Sequence, residues 1–178
     1  MVLDVVCEQI VEKRFEGKEM LKMYGIIFLG LTLGALLITL GFIFLSAMPI
    51  IILLLVGLVW LCFKLFRSLF VEYEYDLVNG DFEIDKIVNK TNRSNLLSIS
   101  LKDVDKFYPY DIDSFNDAEF DSVLIYSYSV TPADAVVLVY PDKSSGRTAL
   151  IISPDDRMLE GLKKCVNRMV VREGFAQA

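Results

Sequence analysis

From Met23 to Phe63 the chain carries no charged residue, and Lys22 and Lys64 close the run on its two sides. As one helix this stretch would reach roughly 60 Å, about twice the thickness of a bilayer's hydrocarbon core, so it has to fold back on itself. Ser46-Ala47-Met48-Pro49 is the turn that allows this, because proline disfavours helix at the residue before it and is well placed just inside a new helix. The pattern therefore predicts two spanning helices, about Tyr24 to Leu45 and Pro49 to Phe66, within a hairpin over 23–67. A buried hairpin in a soluble core would need a polar face on each helix, and neither has one. A cleaved signal peptide fits poorly, since the preceding segment is long and acidic and no A-x-A-like site follows.

Residues 1–22 read as an amphipathic segment at helical spacing, with Val2, Val6, Ile10 and Phe15 on one side and Glu8, Glu12, Lys13, Arg14 and Glu16 among them. Such a helix has two uses, lying on the inner leaflet or docking on the downstream domain. The third part, 68–178, opens with period-two alternation. Val71 to Val78, then Asn79-Gly80, then Asp81 to Val88 is a hairpin signal, because a type I′ turn needs positive φ at both central residues. A two-residue loop places Val71, Tyr73, Tyr75, Leu77, Phe82, Ile84 and Val88 on one face. The opposite face then carries Glu72, Glu74, Asp76, Asp81, Glu83 and Asp85. A three-residue loop would mix aromatics with carboxylates and is rejected. Like charges on facing strands repel, so this acidic face is solvated, matched by a basic protein partner, or occupied by a divalent cation.

More strands follow: Leu97 to Leu101 continuing through Val104 and Phe107, Ser122 to Val130, Ala135 to Tyr140, and Thr148 to Ile152. Asp111 to Asp121 reads as an exposed acidic loop; it lacks the glycine and glutamate of a calcium-binding loop. Ser153-Pro154-Asp155-Asp156 starts a C-terminal helix, whose apolar stripe is Met158, Leu159, Leu162, Val166, Met169 and Val170 and which Gly174 can end. The fold class is thus an α+β membrane protein: a transmembrane helical hairpin followed by an antiparallel β pleckstrin-homology-like barrel with one C-terminal helix. Leu97-Ser98-Ile99-Ser100-Leu101-Lys102-Asp103-Val104 resembles the strand-and-turn signature of bacterial pleckstrin-homology-like domains found beside two membrane helices. With Tyr73-Glu74-Tyr75, Asn79-Gly80 and Ile84-Asp85-Lys86-Ile87, the whole chain resembles a family of small bacterial two-helix membrane proteins with a pleckstrin-homology-like cytoplasmic domain. The resemblance is structural and carries over no functional residue.

Composition narrows the function. The 178 residues are 54% hydrophobic and 24% charged, which fits a globular domain joined to one concentrated apolar segment. A net charge of −6 argues against nucleic acid. There is no histidine, no thiol with a neighbouring base and no glycine-rich phosphate loop, so no catalytic or metal residue is assigned, no cofactor is expected, and the chain reads as a non-enzyme. Cys7, Cys62 and Cys165 lie in separate segments without metal or redox spacing. Lys13, Arg14, Lys18 and Lys22 before the hairpin, with Lys64 and Arg67 after it, place both termini in the cytoplasm of a multi-pass cell-membrane protein by the positive-inside rule. Gly30 and Gly34 offer either a homo-oligomer seam or packing of the hairpin on itself, partly through Gly57.

The expected function is a membrane-anchored, non-catalytic binding or scaffolding protein. Its partners are the bilayer and a protein that meets the acidic face or the tyrosines Tyr108, Tyr110, Tyr126 and Tyr128. The alternatives are an accessory subunit of a transport or envelope complex and a lipid-headgroup module. The last is weakened because Lys86, Lys90 and Arg93 are the only basic group near a short, acid-bordered hairpin turn.

Overall fold

A computed structural model describes residues 5–129, 132 and 134–176. The chain divides into two compact units, one of residues 15–71 and one in which 1–14 joins 72–178.

The first unit is a helical hairpin. Helix α1 (Gly17–Ile43) and helix α2 (Met48–Arg67) are joined by a short 3-10 turn at Leu45–Ala47. Both are long and apolar enough to cross a membrane, and only 6% of each one's most apolar stretch is buried within the chain. Such surface has no cover of its own, unlike the core helix of a soluble protein. α1 begins earlier than the apolar run because Lys18, Glu19 and Lys22 occupy its first turns. The hydroxyls of Thr32 and Thr39 donate to the carbonyls of Phe28 and Ala35 one turn earlier, at 2.8 and 2.9 Å, so neither needs water. Gly30 is part of the hairpin's own seam, since a Cβ there would stand 2.9 Å from Cys62 Sγ. Gly41 abuts Met48 and Ile51, whereas nothing lies against Gly57, which plays no part in that packing.

The second unit holds two four-stranded sheets. Strands β1 (Val6–Glu12), β2 (Val71–Val78), β3 (Asp81–Val88) and β4 (Asn92–Ser100) form the first in that order. The second contains β5 (Lys106–Pro109), β6 (Ser122–Tyr126), β7 (Val136–Asp142) and β8 (Gly146–Ile152), in the order β5-β7-β8-β6. They do not close into a barrel, and β6 runs parallel to β8, so the expectation of an all-antiparallel barrel is corrected. The expected strand from Ser122 stops at Tyr126, and Val130 lies outside the described residues.

Of residues 1–22, expected as one amphipathic helix, 6–12 are instead strand β1, paired antiparallel with β2 from Val6 opposite Val78 to Glu12 opposite Glu72, while 17–22 begin α1. A spacing of four between Val6 and Ile10 fits a strand as well as a helix, and the β-branched residues around them favour the strand. Their side chains face out; Val11 is buried, and Gln9 reaches inward to accept from Asp155 N–H at 2.8 Å and donate to Ser153 C=O at 3.1 Å.

The Asn79-Gly80 hairpin forms with the two-residue loop that the sequence demands, with φ of 52° and 98°. Tyr73, Tyr75, Leu77, Phe82 and Ile84 are buried on its inner face. Tyr75 ties the two sheets together: its hydroxyl donates to Tyr126 C=O and accepts from Ser153 N–H at 3.4 Å. Burial raises the Tyr75 phenol far above its ordinary value of 10, so it stays a neutral donor.

On the outer side of the second sheet, Val137, Val139, Ala149 and Ile151 are covered by Tyr108, Tyr110, Phe115, Phe120, Val123 and Ile125. The acidic loop 111–121 is therefore pinned rather than free, because Phe115 and Phe120 stack at 5.5 Å and hold it on the sheet. The single C-terminal helix is also corrected. It breaks into α3 (Asp156–Cys165), capped by Asp155, and α4 (Arg168–Phe175), capped by Asn167. Met158, Leu162 and Val166 are buried as the stripe requires, but Met169 is exposed past the break. α4 turns onto β5, where Phe175 meets Phe107 edge-on at 5.1 Å.

Two substitutions test this packing. Tyr75→Phe leaves an acceptor and a donor unpaired in the core and is expected to lower stability by about 1–3 kcal/mol, read by chemical denaturation in detergent. Gly174→Ala would drive a Cβ into Phe107 C=O. It is expected to cost about 1–3 kcal/mol by forcing α4 off β5. An unchanged melting temperature for either would contradict the contact.

Candidate functional site: the acidic face of the first sheet

The six carboxylates expected on one hairpin face sit in different settings. Alternation puts them opposite the buried aromatics, and β4 on the far side of β3 supplies most of their partners. Arg93, just after the turn that joins β3 to β4, gathers three of them. Its guanidinium lies 3.1 Å from Glu74 Oε2 and 2.9 Å from Asp76 Oδ2, and it donates to Asp85 Oδ2. Asn95 Nδ2 donates to the other oxygen of Asp85 at 2.9 Å. Lys90 pairs with Glu72 at 3.5 Å, and Ser98 Oγ donates to Glu83 at 3.1 Å. Asp81 stays exposed at the hairpin end. The left-handed backbone at Asn89 and Lys90, with φ of 56° and 55°, makes the tight turn that brings Lys90 and Arg93 back along the face.

β1 adds a carboxylate that the helical reading of residues 1–22 concealed. Glu8 faces Asp76 across the β1–β2 ladder, and Glu12 faces Glu72. One carboxylate oxygen each from Glu8, Glu74 and Asp76 fall within 4.8 Å of one another. Glu74 is buried, and its carboxyl is raised above 4.5, first by burial and next by a hydrogen bond with Glu8, against the pull of Arg93. Glu74 Oε2 lies within ion-pair range of Arg93 but outside hydrogen-bond alignment, which leaves that oxygen under-satisfied. Asp76 is raised above 3.8 by burial, with Arg93 opposing.

Among the described residues, these three form the group that could offer oxygens to a divalent cation. The guanidinium of Arg93 already holds two of them, however, and its positive charge opposes a second cation there. The arrangement suits proton sharing and charge recognition. Of the tyrosines, Tyr108, Tyr110, Tyr126 and Tyr128 are all half-buried rather than exposed. Tyr126 packs 5.5 Å from Tyr73, and Arg14 stacks 4.7 Å over the Tyr128 ring. Another opening, a cleft of about 560 Å³ between β5, the 111–120 loop and α4, is rimmed by Asp105, Asp111, Glu119 and Glu173.

Comparison with known proteins places the whole chain. The family model described as "Bacterial PH-like domain (DUF6106)" matches residues 3–172. The chain belongs to that family. The match takes in β1, the hairpin and both sheets, so the bacterial PH-like family unit includes the helical insertion. No curated protein and no solved structure matches the chain.

Folded-state carboxyls held above their ordinary values stabilise the fold at pH below those values, and the contribution is lost as pH rises through the raised ones. Glu74 and Asp76 thus favour the folded domain as pH falls from 7 toward about 4.5. Arg93→Gln removes the cation that offsets them. It is expected to lower the melting temperature at pH 7 and to lower it much less near pH 4.5, where the carboxyls take up protons. An equal drop at both pH values would show that Arg93 acts through packing instead.

Proposed function

We propose that this chain is a membrane-anchored, non-catalytic binding module. Its hairpin spans the cell membrane, both termini lie in the cytoplasm, and its PH-like domain presents the acidic sheet to a protein partner. The observation that carries the reading is the pairing of β1 with β2. The two strands that flank the apolar hairpin share one ladder, with Glu12 opposite Glu72. Any bilayer crossed by the hairpin must therefore leave both flanks on one side. The positive-inside rule selects the side through Lys13, Arg14, Lys18, Lys22, Lys64 and Arg67. Near the end of α2, Lys64 lies 5.2 Å from the centre of the Trp60 ring and Arg67 5.5 Å from that of Phe63, which is how basic and aromatic side chains anchor a helix end at a headgroup layer.

The domain is built for display rather than for the leaflet. Residues after Ser68 carry 19 acidic and 12 basic side chains, a balance that an anionic inner leaflet repels. The outer sheet face carries the carboxylates, with Glu8, Glu12, Asp81 and Glu83 exposed on it and Glu74 and Asp85 buried beside Arg93. Zero-length carbodiimide crosslinking in native membranes, followed by mass spectrometry, tests the reading. Links from Glu8, Glu12, Glu72 or Glu83 to lysines of one recurring protein are expected, with the chain extracted only by detergent. The reading is overturned if the polypeptide stays in a detergent-free supernatant, if a reporter fused to its C-terminus is active outside the cell, or if no protein neighbour is recovered.

A further inference from the structure

β1 is the edge of its sheet, and the direction of its main chain can be worked out. Asn79 N–H donates to Val5 C=O at 2.9 Å, and the register continues without a shift from Val6 opposite Val78 to Glu12 opposite Glu72. In an antiparallel ladder the residues that exchange hydrogen bonds alternate. Val5, Cys7, Gln9 and Val11 therefore turn their main-chain groups toward β2, and Val6, Glu8, Ile10 and Glu12 turn theirs away. The hairpin gives the same answer independently: Val78 flanks a two-residue turn, so its groups point to β3 and those of Val6 face away from β2.

All four outward residues are exposed, Val6 at 57% and Ile10 at 55%. Beside them runs an open groove of about 480 Å³, lined by Val6, Glu8, Gln9, Ile10 and Arg157 of α3. Long, exposed edges bearing apolar residues are templates for a further strand, and soluble proteins commonly guard them with lysine or proline. Over Val6–Glu12 neither residue type is present, and the charges the edge does carry are the carboxylates Glu8 and Glu12, which deter an acidic strand and not a basic one.

We infer that the free edge of β1 is the docking site of an extended, basic protein segment, which adds to the first sheet as a fifth strand. This names the partner class of the binding module proposed above and rests on that reading. Charge selects the occupant. An added strand has its alternate side chains beside Glu8 and Glu12, on the face that already holds Glu72, Glu74 and Asp76, where lysine or arginine is favoured and carboxylate is not. A second copy of the chain would join two acidic faces into one sheet, which places it behind a basic partner. Main-chain hydrogen bonds supply affinity, and the alternate contacts supply selectivity.

The test uses the full chain in nanodiscs and a fluorescent peptide of about nine residues alternating lysine and valine. Saturable binding that weakens with salt is expected, with hydrogen-exchange protection appearing at the amides of Val6, Glu8, Ile10 and Glu12. A glutamate-valine peptide should bind at least about tenfold more weakly. Ile10→Pro removes an outward N–H without touching the β1–β2 ladder, a position where an edge strand tolerates proline, and should abolish the protection and weaken binding about tenfold. Glu12→Lys should weaken the lysine peptide roughly fivefold. If Ile10→Pro proves unfolded, the protection map on the unaltered chain decides alone. Peptide binding with protection elsewhere, equal affinity for the two peptides, no binding at all, or a dimer lost on Ile10→Pro would each overturn the inference. The first two would leave the binding-module reading standing.

Discussion

The pairing of β1 with β2 is the constraint on which the rest of the chain depends. It joins residues 6–12 to residues 72–78 across an insertion of nearly sixty residues. Closing a loop of that length carries an entropic cost that grows only slowly with length, and two stiff helices of similar length, packed antiparallel, return the chain close to where it left. The hairpin is thus less a leader in front of a domain than an insertion between two neighbouring strands. Without β1, strand β2 would itself be the edge of its sheet. Gln9 would not tie that edge to Ser153 and Asp155, where β8 gives way to α3.

The second organising contact is internal. Tyr75 carries the aromatic bulk of the hairpin's inner face and a hydroxyl that satisfies groups at the ends of β6 and β8. A phenylalanine there would fill nearly the same space and leave those polar groups dry. On the other side of the same strand, Glu74 and Asp76 meet Arg93. Strand β2 therefore has its inner side held by one neutral polar bridge and its outer side by a shared cation. Both depend on β-sheet alternation placing Tyr75 between two carboxylates.

How much of this was legible follows from the length of the patterns. The 41-residue uncharged run and the Asn79-Gly80 turn are strong local signals; α2 and the hairpin lie close to the expected bounds, whereas α1 starts seven residues before Tyr24, in the charged flank. Local signals fail where pairing is distant. Val6 and Ile10 are four apart, a spacing that serves both periods, and only the partner strand beyond the hairpin decides between them. Arg93 was visible as one of three basic residues near the hairpin, but its role needs the β3–β4 register and the irregularity between Ile84 and Asp85. The helix break at Val166-Asn167 was missed because the apolar stripe continues through it; the cue was Asn167, a capping residue two positions before Met169, whose N–H it accepts at 3.0 Å. The aromatic anchors Phe115 and Phe120 were overlooked because the carboxylates around them dominate the loop's composition.

Charge is also segregated along the chain in a way that matches the architecture. Lysine and arginine close both ends of the hairpin, four before it among three glutamates and two after it, while the first sheet is acidic. Basic flanks beside an apolar hairpin are drawn to anionic headgroups, and an acidic domain is pushed away from them. Where the hairpin crosses an anionic bilayer, as proposed above, these two forces act on one continuous polypeptide in opposite senses. At physiological salt the field of an acidic face falls off over a Debye length of about 8–10 Å. In the proposed binding module, a field of that reach favours basic segments close to contact.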